Sequence, residues 1–237
     1  MTRPWRLLLV ALIAATGPAV SAAGSASAAT PQAHPATATA SAYSGYVVTG
    51  ADGADSSVSA TWTAPTLTCT ATASSSFWVG LDGFSSASVE QIGIEADCSG
   101  KTAEYFGWYE MYPAPPVDFA NSVKPGDAIA ASVTFSGADT YKLVLTDNTQ
   151  GWSRTITKNE AGLARSSAEV ITEGPPATGL LADFGTVSYA KCEANGTSLG
   201  LQNPTRLVIT EASGHALDST SPITRAGAFS NTWLRSS

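Results

Sequence analysis

Positive charge is the scarcest resource in this chain of 237 residues: 12 Lys and Arg stand against 19 Asp and Glu, a formal net charge of −7. With no basic patch there is no electrostatic footprint for a phosphate backbone or anionic lipid, which excludes nucleic-acid binding as the main role. Charged residues of both signs reach only 13% while aromatics stand at 8%, so the chain is not a disordered tail. Histidine is almost missing, with His34 and His215 the only two. A lone imidazole in the folded part cannot build a zinc centre without carboxylates. His215, in Ser213-Gly214-His215-Ala216, reads as a surface loop residue. His-Glu-x-x-His, the phosphate-binding Gly-x-x-x-x-Gly-Lys-Ser/Thr and the Asp-Thr/Ser-Gly of pepsin-like enzymes are all lacking. No metal and no cofactor are expected.

Long hydrophobic runs are also lacking. The apolar run Leu7 to Ala15 follows Arg3 and Arg6 and precedes small residues with Ala26-Ser27-Ala28, the three regions of a secretory signal peptide. It is far short of the ~20 residues that span a bilayer. The expectation is a signal peptide over 1–28, a disordered Ala/Thr/Pro/Ser lead or short propeptide remnant over 29–42, and one domain over 43–237, secreted to the extracellular space and free of the membrane once the signal is removed. Three cysteines fit an oxidising compartment but cannot all pair within the chain. Cys69–Cys98 is the preferred bridge because it closes the motif-rich segment, a constraint of about 3 kcal/mol. The other two pairings stay open, and Cys192 is read as a partly buried thiol.

What the chain does have is period-two alternation, broken by Gly, Pro, Asp, Asn and Ser clusters. Strands are expected at Gly45–Thr49, Val58–Thr63, Ser76–Asp82, Val89–Glu95, Ala103–Tyr112, Asp127–Phe135, Tyr141–Thr146, Trp152–Thr157, Ala168–Glu173, Phe184–Tyr189 and Arg206–Thr210. Ser136-Gly137-Ala138-Asp139 and Asp147 to Gly151 supply hairpin turns. Calcium at Asp147 to Gln150 is the weaker reading of that segment, and Asn195-Gly196-Thr197 is a turn as well as a glycosylation sequon. Many short strands without helical crossovers point to an all-β fold: an antiparallel β-sandwich of jelly-roll type, two packed sheets with a concave cleft.

Alternation also assigns faces. Glu104, Phe106, Trp108, Glu110 and Tyr112 share one side of their strand; Trp78, Gly80 and Asp82 share a side, as do Gln91, Gly93 and Glu95, and Glu169, Ile171 and Glu173. A solvated face would carry Lys and Thr, but these faces hold no Lys or Arg. Carboxylates crowded without cations shift one another's pKa values, the mark of a working site, and large aromatics beside them suit a groove for an extended polymer, peptide or sugar.

Four blocks carry a family resemblance: Trp78-Val79-Gly80-Leu81-Asp82-Gly83, Glu90-Gln91-Ile92-Gly93, Trp108-Tyr109-Glu110-Met111-Tyr112-Pro113, and Ala168-Glu169-Val170-Ile171-Thr172-Glu173. In this order they resemble the motifs of the eqolisins, the glutamic endopeptidases, over most of Tyr43 to Cys192; beyond Cys192 the resemblance fades. It implies a secreted acid endopeptidase with Gln91 and Glu173 as the catalytic pair, and Trp78, Asp82, Glu95, Trp108, Glu110 and Tyr112 lining the substrate cleft. Phe106 stands where an acidic residue is common, and Gly174-Pro175-Pro176 should end the last strand early. The expected partner is a polypeptide substrate met by a monomer. Two other functions compete: a lectin-like carbohydrate-binding module stacking sugars on Trp78, Trp108 and Tyr112, and a glycoside hydrolase using Glu110 and Glu173.

Overall fold

The computed structural model describes residues 37–40, 42–175 and 179–237, so the segment read as a signal peptide lies outside the described residues. The strands, in chain order, are β1 Thr37–Ala40, β2 Tyr43–Thr49, β3 Ser57–Thr63, β4 Ala73–Asp82, β5 Val89–Ser99, β6 Thr102–Tyr112, β7 Val117–Ser122, β8 Ala128–Phe135, β9 Thr140–Asp147, β10 Trp152–Asn159, β11 Ser167–Glu173, β12 Thr186–Ala194, β13 Thr197–Ser198, β14 Thr205–Ile209, β15 Asp218–Thr220 and β16 Phe229–Trp233. One sheet runs β1-β14-β2-β11-β4-β5-β6-β7; the other runs β10-β9-β8-β3-β12-β16-β15, with β13 on β12. All pairings between these strands are antiparallel except β1 with β14. Thr37–Ala40, within the segment expected to be a disordered lead or propeptide remnant, adds a parallel edge strand.

The expected strands are all present, most of them longer than alternation alone marked. Besides β1, four were missed: β7, β13, β15 and β16 are short, and Ser, Thr, Asp and Asn dilute their apolar pattern. The turns close as their residues dictate. Between β8 and β9, Gly137, Ala138 and Asp139 take positive φ (87°, 47° and 55°), and Ser136 N–H donates to Thr140 O at 2.8 Å. After β9, Asp147 Oδ1 accepts the backbone N–H groups of Thr149 (3.0 Å) and Gln150 (2.9 Å), which accounts for that segment as a turn. Asn195 and Gly196 take positive φ between β12 and β13, and the Asn195 side chain accepts from Ser56 N–H and donates to Asp55.

Between the sheets lies one core, with Phe77, Val79 and Leu81 of β4, Ile92 and Ile94 of β5, Leu143 and Leu145 of β9, and Tyr189 of β12 all buried. Cys69 and Cys98 form a disulfide with Cα atoms 5.4 Å apart. Cys192 is fully buried, and burial together with the charge of Glu193 pushes its thiol up to about 12, so it is inert. On the opposite face of the first sheet a second, smaller apolar cluster forms from Val47, Trp78, Val89, Trp108, Ile171 and Leu207, flanked by Tyr43, Phe84, Phe106 and Tyr112.

Among the described residues, nine acidic side chains are buried (Asp55, Asp82, Glu90, Glu110, Asp127, Asp147, Glu169, Glu173 and Asp218) and no Lys or Arg is. Glu90, which no sequence pattern singled out, faces the inter-sheet core with neither carboxyl oxygen bonded. Burial, then the charges of Asp82, Glu160 and Glu169, lift it to about 9. Burial lifts Asp218 to about 6, and Glu169 and Glu173 each to about 8.

A carboxyl with a raised pKa favours the folded state most while it is protonated in both states, and that contribution is lost as pH climbs through the folded-state value. The melting temperature should therefore fall by about 5 °C or more between pH 4 and pH 8.5, the shift that ~2 kcal/mol produces in a domain of this size. Glu90→Gln, neutral at every pH, should recover part of that fall at pH 8.5 and change little at pH 4. Scanning calorimetry across pH checks both; a melting temperature that rises with pH would show these carboxyls charged in the fold.

Candidate active site

Four strands side by side, β11-β4-β5-β6, turn their polar residues to the face away from the second sheet. Their register builds the site in rows. Glu169, Gly80, Gln91 and Glu110 make one row; Ile171, Trp78, Gly93 and Trp108 make the next; Glu173, Ser76, Glu95 and Phe106 make the third. Gln91 and Glu173 share the face but not a row, because Glu169 is the acid opposite Gln91 across Gly80. Two glycines leave room for this. A Cβ on Gly93 would strike the Phe77 carbonyl and the base of Trp78, and one on Gly80 would lie 2.9 Å from the Trp78 ring and 3.3 Å from Gln91 Cβ.

Gln91 is 2% exposed. Its Nε2 donates to Glu110 Oε2 at 2.5 Å, which fixes the amide and leaves Oε1 buried and unbonded. The Trp108 indole N–H is also buried without an acceptor. A buried donor and a buried acceptor left open on one face each cost about 1–3 kcal/mol unless a bound molecule meets them. Glu173, 5% exposed, accepts the Trp78 indole N–H at Oε2, 2.8 Å. Burial raises its carboxyl to about 8 against that hydrogen bond; the charge of Glu110 raises it further, and a hydrogen bond with Tyr43 lowers it. Glu110 thus links the two predicted catalytic residues: it bonds one and is felt electrostatically by the other.

Strand β11 is held from behind. Thr172, facing the core, hydrogen-bonds the Tyr189 hydroxyl at 2.9 Å and accepts Asn231 Nδ2 at 2.9 Å, while Asn231 also donates to Ser44. These buried bonds fix the strand whose next residue is Glu173. The strand ends there, at Gly174, as the following prolines led one to expect.

Of the predicted cleft residues, Trp78 acts on Glu173 directly, Trp108 and Glu110 lie beside Gln91, and Glu95 and Tyr112 are half-buried at the flanks. Asp82 is committed elsewhere. Its fully buried carboxylate accepts the backbone N–H groups of Arg165 (2.7 Å) and Ser166 (2.9 Å), so it clamps the loop before β11. Glu169 returns the grip: it accepts from Ser167 Oγ at 3.0 Å and from the backbone N–H of Phe84, in the turn after Asp82. The two carboxyls cross-brace one end of the face. Tyr43, opposite Glu173 in register, was missed by the sequence reading; nothing in the linear order ties a residue at the start of β2 to one so far along the chain. His215 lies apart, with its side chain 65% exposed and paired with Glu211. No cluster of three or more His, Cys, Asp or Glu that could hold a metal exists among the described residues.

A two-sheet sandwich with a buried amide and carboxyls gathered on one outer face has the layout of a glutamic peptidase. The sequence matches the profile of the Peptidase A4 family over residues 41–230, and the chain belongs to that family, the eqolisins. The match runs well past Cys192, where the recognisable motifs gave out. Scytalidopepsin B of Scytalidium lignicola is 29% identical over 160 residues, 65% of this chain and 54% of that protein; the chain thus spans about half the length of this curated relative. Among solved structures, scytalido-glutamic peptidase with a transition state analog inhibitor superposes with a TM-score of 0.71 at 24% identity, over 82% of this chain and 98% of that one. Aspergilloglutamic peptidase from Aspergillus niger superposes with a TM-score of 0.59 at 27% identity, over 68% and 99%.

Replacing Asp82 by Ala strands the backbone N–H of Ser166, which is buried, and that of Arg165, which is part-buried, and should destabilise the fold by about 3 kcal/mol, with Asp82→Asn intermediate. Urea unfolding at pH 5 measures this; a loss under about 0.5 kcal/mol would mean the clamp is solvated.

Proposed function

We propose that this chain is a secreted glutamic endopeptidase that cuts polypeptide segments laid along the outer face of the first sheet, with Gln91 and Glu173 as the reacting pair. The observation that carries the reading is the state of Gln91: a buried amide whose nitrogen is tethered to Glu110 while its carbonyl oxygen is left open beside an acid. A binding module has no use for such a group, and a glycosidase needs two free carboxyls, whereas here Glu110 is occupied with Gln91. The lectin-like alternative also loses its platforms, since Trp78 and Trp108 are 3% and 2% exposed.

In the proposed reaction, Gln91 Oε1 accepts a hydrogen bond from a water. Ionised Glu173 removes a proton from that water as its oxygen bonds to the scissile carbonyl carbon. The carbonyl electron pair moves onto oxygen, where the second N–H of Gln91 Nε2 faces the developing charge. Glu173 then passes its proton to the amide nitrogen, the C–N bond breaks, and the carboxylate is restored. Neither step needs a group that titrates other than Glu173.

Acid action is supported by the fold, which is most stable where its buried carboxyls are protonated. The same burial works against Glu173 as a base at low pH, holding it at about 8 even with the Trp78 and Tyr43 hydrogen bonds in place. The attacking water is the further donor that acts the other way, and the upward push from Glu110 vanishes wherever Glu110 is neutral. Secretion is supported by the disulfide.

Denatured protein should be hydrolysed best near pH 3–5. Glu173→Gln should lower kcat/KM by at least about 10³-fold and Gln91→Ala by about 10²-fold or more. Activity that keeps rising to a plateau at pH 8 would remove the acid reading, and either variant retaining a tenth of wild-type turnover would remove the pair.

A further inference from the structure

The cation shortage noted in the sequence becomes specific at Glu173. An ionised carboxyl buried to this degree is normally held by Lys or Arg or by several donors, and among the described residues no Lys or Arg is buried. The titratable groups around it and Tyr43 are acids or phenols: Glu110 from β6 and Glu169 from its own strand act on both, Tyr112 from β6 acts on Tyr43, and Glu95 lies in the Glu173 row on β5. Each of the carboxylates, when charged, opposes ionisation of Glu173. Two neutral donors oppose burial: the Trp78 indole and the Tyr43 hydroxyl. Tyr43 is opposite Glu173 in the β2–β11 register, and its ring meets the Trp78 ring edge-on, centroids 6.2 Å apart at 86°. The two donors therefore form one unit around a single carboxyl.

We propose that Tyr43 is a positioning residue of this site, its hydroxyl serving with the Trp78 indole to hold Glu173 as a carboxylate while water attacks. The inference rests on the reading of Glu173 as the base. Tyr43 is fitted for the task because burial, and then the charges of Glu173, Glu169 and Glu110, drive its own ionisation far above the usual phenol range. It remains an O–H donor at any pH the protein meets, whereas a carboxyl or imidazole in its place would titrate. Trp78 alone occupies one oxygen of Glu173; the phenol adds the second stabilising bond without adding a charge to a crowded face.

The test is the pH profile of kcat/KM on a peptide substrate, measured with the full chain. Tyr43→Phe keeps the ring and its contact with Trp78 but removes the donor. The limb on which activity rises with Glu173 ionisation should move up by about 0.5–1 pH unit, turnover on that limb should fall about 3–10-fold, and KM should change less than 2-fold. Replacing Tyr43 with 3-fluorotyrosine, a stronger donor of nearly the same shape, should move the limb down. A residue that only packs would shift the limb in neither variant, and an unmoved limb in the fluorotyrosine protein overturns the proposal even if Tyr43→Phe folds poorly. Glu173→Gln separates the two levels of inference. If it is inactive while both Tyr43 variants match wild type, Tyr43 alone has been misassigned; if it stays active, the reading of the site fails and this inference with it.

Discussion

Everything in this protein turns on burying carboxyl groups without cations to meet them. An ionised carboxylate taken from water into a sheet face is heavily penalised, and a chain so poor in Lys and Arg cannot offset that with ion pairs. Two remedies remain. The carboxyl can hold its proton, as Glu90 does behind the site, or it can gather neutral donors, as Asp82 does with two backbone N–H groups and Glu173 with Trp78 and Tyr43. The first remedy couples the fold to acidity; the second lets a chosen acid keep the option of ionising. Both arise from one composition, so the conditions that favour folding and the chemistry proposed for the face share a cause.

The same constraint explains how the site is assembled. Because no Lys or Arg is buried among the described residues, position comes from sheet register and from side chains gripping backbone. Asp82 reaches the loop before β11, and Glu169 on β11 reaches the turn after β4. Behind them Thr172, Tyr189 and Asn231 lock the strand from the core side. Glycine at positions 80 and 93 keeps the rows open for Trp78 and Gln91. The amide of Gln91 is set by a neighbour on the next strand, which turns an ordinarily floppy side chain into a fixed donor and acceptor.

Much of this was legible in the letters. Alternation put Glu173, Gln91, Trp78 and Glu110 on polar faces correctly, since the period of a strand is two wherever the strand sits. The hairpins at Ser136 to Asp139 and after Asp147 were readable because their residues bond their own backbone. Less was legible where a side chain answers to a distant element. Asp82 looks like a cleft acid from its strand and proves to be a loop clamp; Glu90, one residue before Gln91, looks like part of the same motif yet points into the core. Tyr43 carried no signal at all, and the strand Thr37–Ala40 hid in a low-complexity run whose pairing depends on β14 far downstream.

The sequence by itself determined the class of fold, the face on which each strand residue lies and the shortage of cations, because local periodicity and composition need no partner to take effect. Only the tertiary structure decided the order of strands, and with it that Glu169 rather than Glu173 stands opposite Gln91, that Glu110 links the two, and that Tyr43 joins Trp78 on one carboxyl. Register between strands distant in the chain is set by the whole packed sandwich, through hydrogen bonds and burial that no short window of residues contains.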